Sequence, residues 1–162
     1  MTAAGERPLG PLRLSGLWYE SAMRICLSLA FFAAVLQAQP ADPWQPLRFL
    51  IGTWDARVTV GAPQNSGAYS FELELRDHVL VRHSTNGEHR DILYIYPEGP
   101  AFKAIYFDNE GHVIHYTVTT TPTTAVFQGD GFRLSYELKN GVMTGKFDIK
   151  NRPYLEWSGS RK

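Results

Sequence analysis

Apolar and polar residues alternate along most of the chain beyond residue 50. In segment 54–60, apolar side chains begin at Trp54 and recur at every second position, with charged or polar residues between them. The same alternation runs through segments 69–75 and 132–138. A period of two residues is typical of β-strands with one buried and one solvated face. The pattern therefore predicts strands rather than amphipathic helices.

Turn-forming residues separate these segments at regular short intervals. Asn86-Gly87 and Asn140-Gly141 are typical hairpin turns, and Asp108–Gly111 predicts a hairpin loop. The predicted strands cover residues 54–60, 69–75, 78–85, 91–96, 101–107, 112–120, 124–128, 132–138, 142–149 and 154–161. Consecutive hairpins favour an up-and-down meander, and one this long must close or leave exposed edges. We therefore expect an all-β fold, a single antiparallel barrel of about ten strands.

The first 38 residues do not fit this pattern and predict a signal peptide with an upstream extension. Met23-Arg24 precedes the mostly apolar run 25–36, which is short for a membrane span. We place cleavage after Ala38, with Met1 or Met23 as the start. An N-terminal signal helix and a secreted or periplasmic barrel domain at 39–162 follow from this interpretation. The alternative is an uncleaved membrane anchor.

Composition narrows the function classes. Residues 1–38 contain three of the 16 basic and two of the 16 acidic residues, so the remainder is close to neutral. A nucleic-acid partner would require a basic surface, so we expect no nucleic-acid partner. We also expect no stable membrane insertion of the mature domain. The only cysteine, Cys26, lies inside the predicted signal, so the mature domain would have no disulfide.

Three features at the two ends of the predicted barrel stand together. A short helical turn is predicted at 47–50, the first strand then begins with Gly52-Thr53-Trp54, and Arg161 lies on the last strand. This arrangement resembles the lipocalin-like (calycin) barrels. Segments 106–113 and 157–162 are similar to an uncharacterised bacterial family of secreted single-domain barrels. The resemblance implies that Trp54 forms the barrel floor beside Gly52. It also implies that Arg161 stacks on the indole, a cation–π contact of about 1 kcal/mol.

A heme-binding branch of that superfamily, the nitrobindin-like proteins, shares the Gly-x-Trp start. Its proximal ligand is a histidine near the C-terminal end of the barrel, and this chain has no histidine after His115. We therefore expect no heme and no other cofactor. The five histidines also lack the spacing of a helical metal site, so we expect no metal.

Four residues are candidates for a ligand pocket: His83, Tyr94, Tyr106 and His115. Each lies on a predicted strand among apolar positions, although every hairpin can change which face points inward. The alternative is that the histidines are ordinary core or surface residues and the tyrosines are structural.

Three functional hypotheses follow. The first is a barrel that binds a small, mostly apolar molecule in its lumen, since barrels of this size leave room for one ligand. The second is an enzyme, an isomerase or hydrolase of an apolar substrate, with His83 or His115 carrying the proton. The third is a non-catalytic envelope protein that binds a partner through its rim. The sequence does not predict the oligomeric state.

Overall fold

The structure, a computed structural model, describes residues 42–61 and 66–162. A 3-10 helix, Gln45–Leu50, is followed by ten strands. They are β1 Gly52–Val60, β2 Ser66–Glu74, β3 Val79–Asn86, β4 His89–Glu98, β5 Ala101–Asp108, β6 Val113–Thr120, β7 Thr124–Gln128, β8 Phe132–Lys139, β9 Val142–Ile149 and β10 Arg152–Arg161. The predicted signal segment 1–38 lies outside the described residues and stays a prediction. Within the described part of the chain, no helix has the length and apolar character needed to cross a bilayer.

The ten strands form one closed antiparallel barrel. Each strand pairs with its neighbours in sequence, and β1 also pairs with β10. Trp54 lies opposite Tyr69 on β2 and opposite Arg161 on β10. The prediction of an all-β, up-and-down barrel of about ten strands is therefore confirmed. Closure leaves neither β1 nor β10 as a free edge, the feature that makes open sheets prone to aggregate.

The hairpin between β3 and β4 lies one residue later than the Asn86-Gly87 pair suggests. Asn86 is still paired, with His89, so the two central turn residues are Gly87 and Glu88. Gly87 has a φ of 63°, which suits glycine at the first central position of a two-residue hairpin. This register matters below because it sets which side chains of the two strands face each other.

Large side chains fill one end of the barrel. The 3-10 helix packs against this end through Leu47 and Leu50, which are both fully buried. Trp54 is also buried, and its indole N–H donates a hydrogen bond to the Leu50 carbonyl at 2.9 Å. Phe71 and Phe127 pack above it in the same core. This end is therefore a filled hydrophobic core.

Trp44 fastens the 3-10 helix to the barrel. Its indole N–H donates to the Asp77 carbonyl in the β2–β3 connection at 2.7 Å. Its ring centroid lies 5.3 Å from that of Phe102 on β5. The helix is thus held by a polar contact to the β2–β3 connection and an apolar contact to β5, which explains why Trp44 is almost completely buried.

Candidate functional site

The opposite end of the barrel is hollow. It contains a cavity of about 610 Å³. The apolar part of the wall includes Ala56, Val58, Tyr69, Ile114, Tyr116, Phe132, Leu134, Phe147, Leu155 and Trp157. The polar part includes Arg82, Ser84, Asn86, His89, Asp91, Tyr106, Asp108, Glu110 and His112. The cavity therefore has a mainly apolar wall with a limited set of polar groups, as ligand pockets in proteins usually do.

Small residues account for the space. Ala56, Gly67 and Ser84 line the hollow end, where the filled end has indole and phenyl rings. Gly67 is also required by the backbone, because a Cβ atom there would lie 2.6 Å from the Thr85 carbonyl oxygen. The change from large to small side chains along β1 and β2 thus divides the barrel into a filled and a hollow half.

Arg82 on β3 and Asp91 on β4 form an ion pair inside the barrel. Their side chains are only 6% and 7% exposed. The guanidinium donates one hydrogen bond to Asp91 Oδ1 and another to the Tyr136 hydroxyl. Burial is the largest single effect and opposes the positive charge, but the Asp91 carboxylate and the Tyr136 hydroxyl together outweigh it and hold the pKa of Arg82 above its ordinary value. The pair is therefore charged, and each partner neutralises the other.

Three polar atoms beside this pair are buried without a hydrogen-bond partner. They are Arg82 Nε, the Tyr69 hydroxyl and Trp157 Nε1. A fourth unpaired buried atom, the acceptor Asn86 Oδ1, belongs to the cavity wall at the β3–β4 hairpin. The Trp157 N–H interacts with the Tyr69 hydroxyl, but too loosely to count as a hydrogen bond. Leaving a buried donor unpaired costs about 1–3 kcal/mol, so each such atom calls for an explanation.

The three unpaired groups surround one side chain, Tyr136. The Tyr136 ring lies 6.0 Å from the Tyr69 ring and 5.7 Å from the Trp157 ring, measured between centroids. Its hydroxyl is bonded to Arg82. Burial raises the pKa of both Tyr69 and Tyr136 above the ordinary range, so both hydroxyls are protonated at neutral pH. The unpaired atoms are thus gathered at the inner end of the cavity, where it meets the filled core.

A second polar group lies nearer the mouth. His89 Nε2 is 3.2 Å from the Tyr106 hydroxyl and 3.5 Å from Asp91 Oδ2. The Tyr106 hydroxyl donates in turn to Asp108 Oδ2 at 3.3 Å. Burial, with the nearby Asp91 charge, raises the pKa of Tyr106 above its ordinary value. A chain of hydrogen-bonding groups therefore runs from the buried ion pair towards solvent.

Asp108 anchors the outer end of this chain. Burial would raise the pKa of its carboxyl group, but hydrogen bonds from the backbone N–H and ring of His112, and from the backbone N–H of Glu110, lower it below the ordinary value. His112 Nδ1 lies 2.8 Å from Asp108 Oδ2, and this contact raises the pKa of His112. Asp108 is thus a fixed negative charge at the end of β5.

These groups suit hydrogen bonding and proton transfer. Across residues 42–61 and 66–162, no three His, Cys, Asp or Glu side chains are arranged to hold a metal ion. His89 can accept or donate at Nε2, depending on its tautomer. A ligand in the cavity would therefore meet aromatic walls, one neutralised ion pair and a histidine–tyrosine contact.

The structure places the four predicted pocket residues on two different faces. Tyr106 lines the cavity. Tyr94, 38% exposed, lies opposite Ile105, which lies opposite His115, so Tyr94 and His115 share the outer face. His83 is also on the outside, with Nε2 3.4 Å from Glu74 Oε1.

The reason for this outcome is that β3 and β4 are apolar on both faces. Val81, which shares a face with His83, is buried on the outside of the barrel, while the charged Arg82 points inward. Apolar periodicity therefore indicates the wrong inner face for β3. The pairing of β3 with β4 supplies the information that periodicity lacks. Ser84 pairs with Asp91, and Arg82 pairs with the residue two positions after Asp91, so Arg82 and Asp91 are diagonal neighbours. Opposite charges at such diagonal positions lie on one face and attract.

The predicted floor residues lie together at the filled end. The Arg161 guanidinium carbon is 4.8 Å from the centroid of the Trp54 ring. Arg161 also donates to the Phe49 carbonyl at 3.2 Å. Gly52 has a φ of 125°, and a Cβ atom there would touch the Arg161 side chain at 3.5 Å. That distance is an ordinary contact, so the positive φ at the turn into β1 is what favours glycine here.

The fold and the cavity define a small, closed, ten-stranded antiparallel barrel with one filled and one hollow end. Comparison with known protein families and with curated protein sequences finds no match.

Proposed function

We propose that this chain is a secreted or periplasmic, lipocalin-like protein that holds one small, mostly apolar molecule in its lumen. The observation that carries the proposal is the hollow end of the barrel, with about 610 Å³ of space behind a mainly apolar wall. Pockets for small molecules typically have about 300–1,000 Å³ and a few well-placed polar groups. The stack of Arg161 on Trp54 supports the lipocalin-like assignment.

Secretion and ligand binding are tested with the same preparation. The full chain is expressed in a bacterial host, and the protein recovered from the periplasm is analysed by intact mass and N-terminal sequencing. A mature protein that starts near residue 39 is expected. Native mass spectrometry and solvent extraction then detect any molecule carried through purification. Recovery only from the cytoplasm, with the N-terminus intact, would contradict the proposed export.

A lumen-filling variant shows where binding occurs. N-phenylnaphthylamine, a neutral apolar fluorophore, is titrated into the wild type, Ala56→Phe and His83→Ala. Ala56 lines the cavity and His83 lies outside it, so only Ala56→Phe should weaken binding. Adding a phenyl ring removes space that the ligand needs, and we expect a loss of about tenfold or more. Equal affinity in all three proteins would contradict binding in the lumen.

Acid–base catalysis in the same cavity is a second candidate function. The observation that favours it is the contact of His89 with both Tyr106 and Asp91, within reach of the cavity. A histidine that exchanges a proton with a tyrosine hydroxyl can act on a bound carbonyl compound. We do not assign this role to His83 or His115, because both side chains point away from the cavity.

Proton exchange measures this activity without knowledge of the substrate. Unsaturated apolar ketones are incubated with the protein in D₂O, and deuterium incorporation is followed by mass spectrometry. His89→Gln and Tyr106→Phe should lower the exchange rate, while His83→Ala and His115→Ala should not. Exchange no faster than with heat-denatured protein would exclude this function for the ketones tested.

The third hypothesis is partner binding through the rim. An exposed apolar patch at residues 97–100 or 119–123 would favour it. Among the described residues, the large apolar side chains that are most exposed include Val60, Leu75, Tyr94, Phe107, Val113, Val142 and Tyr154. None of these lies in either segment. No observation therefore favours this hypothesis over a lumenal ligand.

A further inference from the structure

We infer that the polar end of the lumenal ligand is an uncharged oxygen acceptor, such as an ester, ketone or amide carbonyl, bound at the inner end of the cavity. The inference rests on the proposed function and adds the chemical class of the ligand. Its basis is the group of three unpaired polar atoms, Arg82 Nε, Trp157 Nε1 and the Tyr69 hydroxyl, beside the cavity.

The chemistry of these atoms decides between a donor and an acceptor on the ligand. Arginine and tryptophan nitrogens carry hydrogen and can only donate. The Tyr69 hydroxyl can also donate, because burial keeps it protonated. All three groups are more than nine-tenths buried. A single ligand oxygen, with two lone pairs, can accept from two of them, and a ligand without an acceptor leaves all three unpaired.

The charges around the site decide between a neutral acceptor and an anion. Among the described residues of the cavity wall, Arg82 is the one basic side chain besides the histidines, and Asp91 already neutralises it. Asp108, whose side chain is 4% exposed, adds a second buried carboxylate further out. A ligand carboxylate next to Arg82 would therefore bring an uncompensated negative charge into a buried site. A carbonyl oxygen satisfies the same donors without that charge.

The position of the donors also sets the orientation of the ligand. They surround Tyr136, which is fully buried where the filled and hollow halves meet. Phe132, Phe147 and Leu155 line other parts of the wall. The oxygen would thus enter first, and the apolar part of the molecule would lie along the aromatic wall towards the mouth.

Three probes that share a chain but differ in the polar end test this inference. Methyl decanoate, decanoate and undecane are used at pH 8 to displace N-phenylnaphthylamine from the wild-type protein. The ester should displace the fluorophore at concentrations about tenfold lower than either competitor, because it alone offers a neutral acceptor.

Two conservative variants locate the effect. Tyr69→Phe keeps the ring and removes only the hydroxyl, and Trp157→Phe keeps an aromatic ring but removes the indole N–H with part of the indole. Each should weaken displacement by the ester about fivefold relative to displacement by undecane, because one hydrogen bond is lost. His115→Ala, on the outer wall, serves as the control. Two variants are used so that a folding defect in one still leaves a test.

The outcomes separate this inference from the proposal on which it rests. Tighter binding of decanoate than of the ester would overturn it and show that Arg82 recognises an anion. Equal displacement by the ester and undecane would also overturn it, because ordered water would then serve the three donors. Failure of the wild type to bind the fluorophore or any of the probes would overturn the proposed lumenal binding itself.

Discussion

Removing one partner of the Arg82–Asp91 pair should be among the most damaging single changes in this barrel. Asp91→Leu leaves the Arg82 guanidinium charged inside the barrel, with the Tyr136 hydroxyl as its other hydrogen-bond partner. Breaking a buried ion pair in this way costs about 3–5 kcal/mol. The free energy of unfolding of a small domain is only about 5–15 kcal/mol. The variant should therefore lose a large part of its stability.

Arg82→Met should be similarly destabilising, because it leaves the Asp91 carboxylate buried and unpaired. The double variant Arg82→Met/Asp91→Leu removes both charges and should recover most of the loss. Urea unfolding at pH 7, followed by tryptophan fluorescence, measures each change. With a urea dependence of about 2 kcal/mol per molar, each single variant should lower the midpoint by about 2 M.

Glu156→Gln provides the matched control, because Glu156 pairs with Lys146 at the surface at 2.9 Å. Water and salt screen such a pair, so the urea midpoint of Glu156→Gln should hardly differ from that of the wild type. Two results would refute the reasoning about the buried pair. One is a cost of less than about 1 kcal/mol for Asp91→Leu. The other is a double variant whose loss equals the sum of the two single losses, which would mean that the two charges do not interact.

Three further changes have expected outcomes. Gly145→Ala should lower the urea midpoint, because the new Cβ would lie 2.1 Å from the Trp157 ring; an unchanged midpoint would mean that the ring moves aside freely. Arg161→Ala should cost about 1 kcal/mol through loss of the cation–π contact, and unchanged urea unfolding would show that the stack adds nothing. In an NMR titration, Asp108→Asn should lower the raised pKa of His112 towards its ordinary value. The wild-type pair stabilises the fold most between the ordinary pKa values of Asp and His. That contribution falls above this window as His112 deprotonates and below it as Asp108 is protonated, and an unchanged His112 titration would argue against the contact.

The architecture was predictable because its signals are local and repeated. Alternation and turn residues need only a few neighbouring positions to be recognised, as in the segments that start at Trp54 and Phe132. The bounds of β7 and β9 agree with the predicted strands. The family resemblance predicts the stack of Arg161 on Trp54, and the structure places the guanidinium carbon 4.8 Å from the centroid of the indole ring.

The cavity residues were harder to predict because inside and outside differ by one position along a strand. On β3, apolar Val81 faces outward and charged Arg82 faces inward, against the usual rule. The rule fails there because Arg82 has a carboxylate partner within the barrel. The sequence pattern does not single out Trp157 and Asp91, because their importance depends on contacts between strands. Those contacts become visible only once the register is known.

Pairing of β1 with β10 has a consequence for how the protein reaches its native state. Trp54 needs a partner strand that is synthesised more than one hundred residues later, at Arg161. Contacts between residues so distant in sequence form slowly, since a long loop must close before they contribute. Until β10 has paired with it, β1 lacks one of its two neighbours, and the folding chain keeps an open sheet edge.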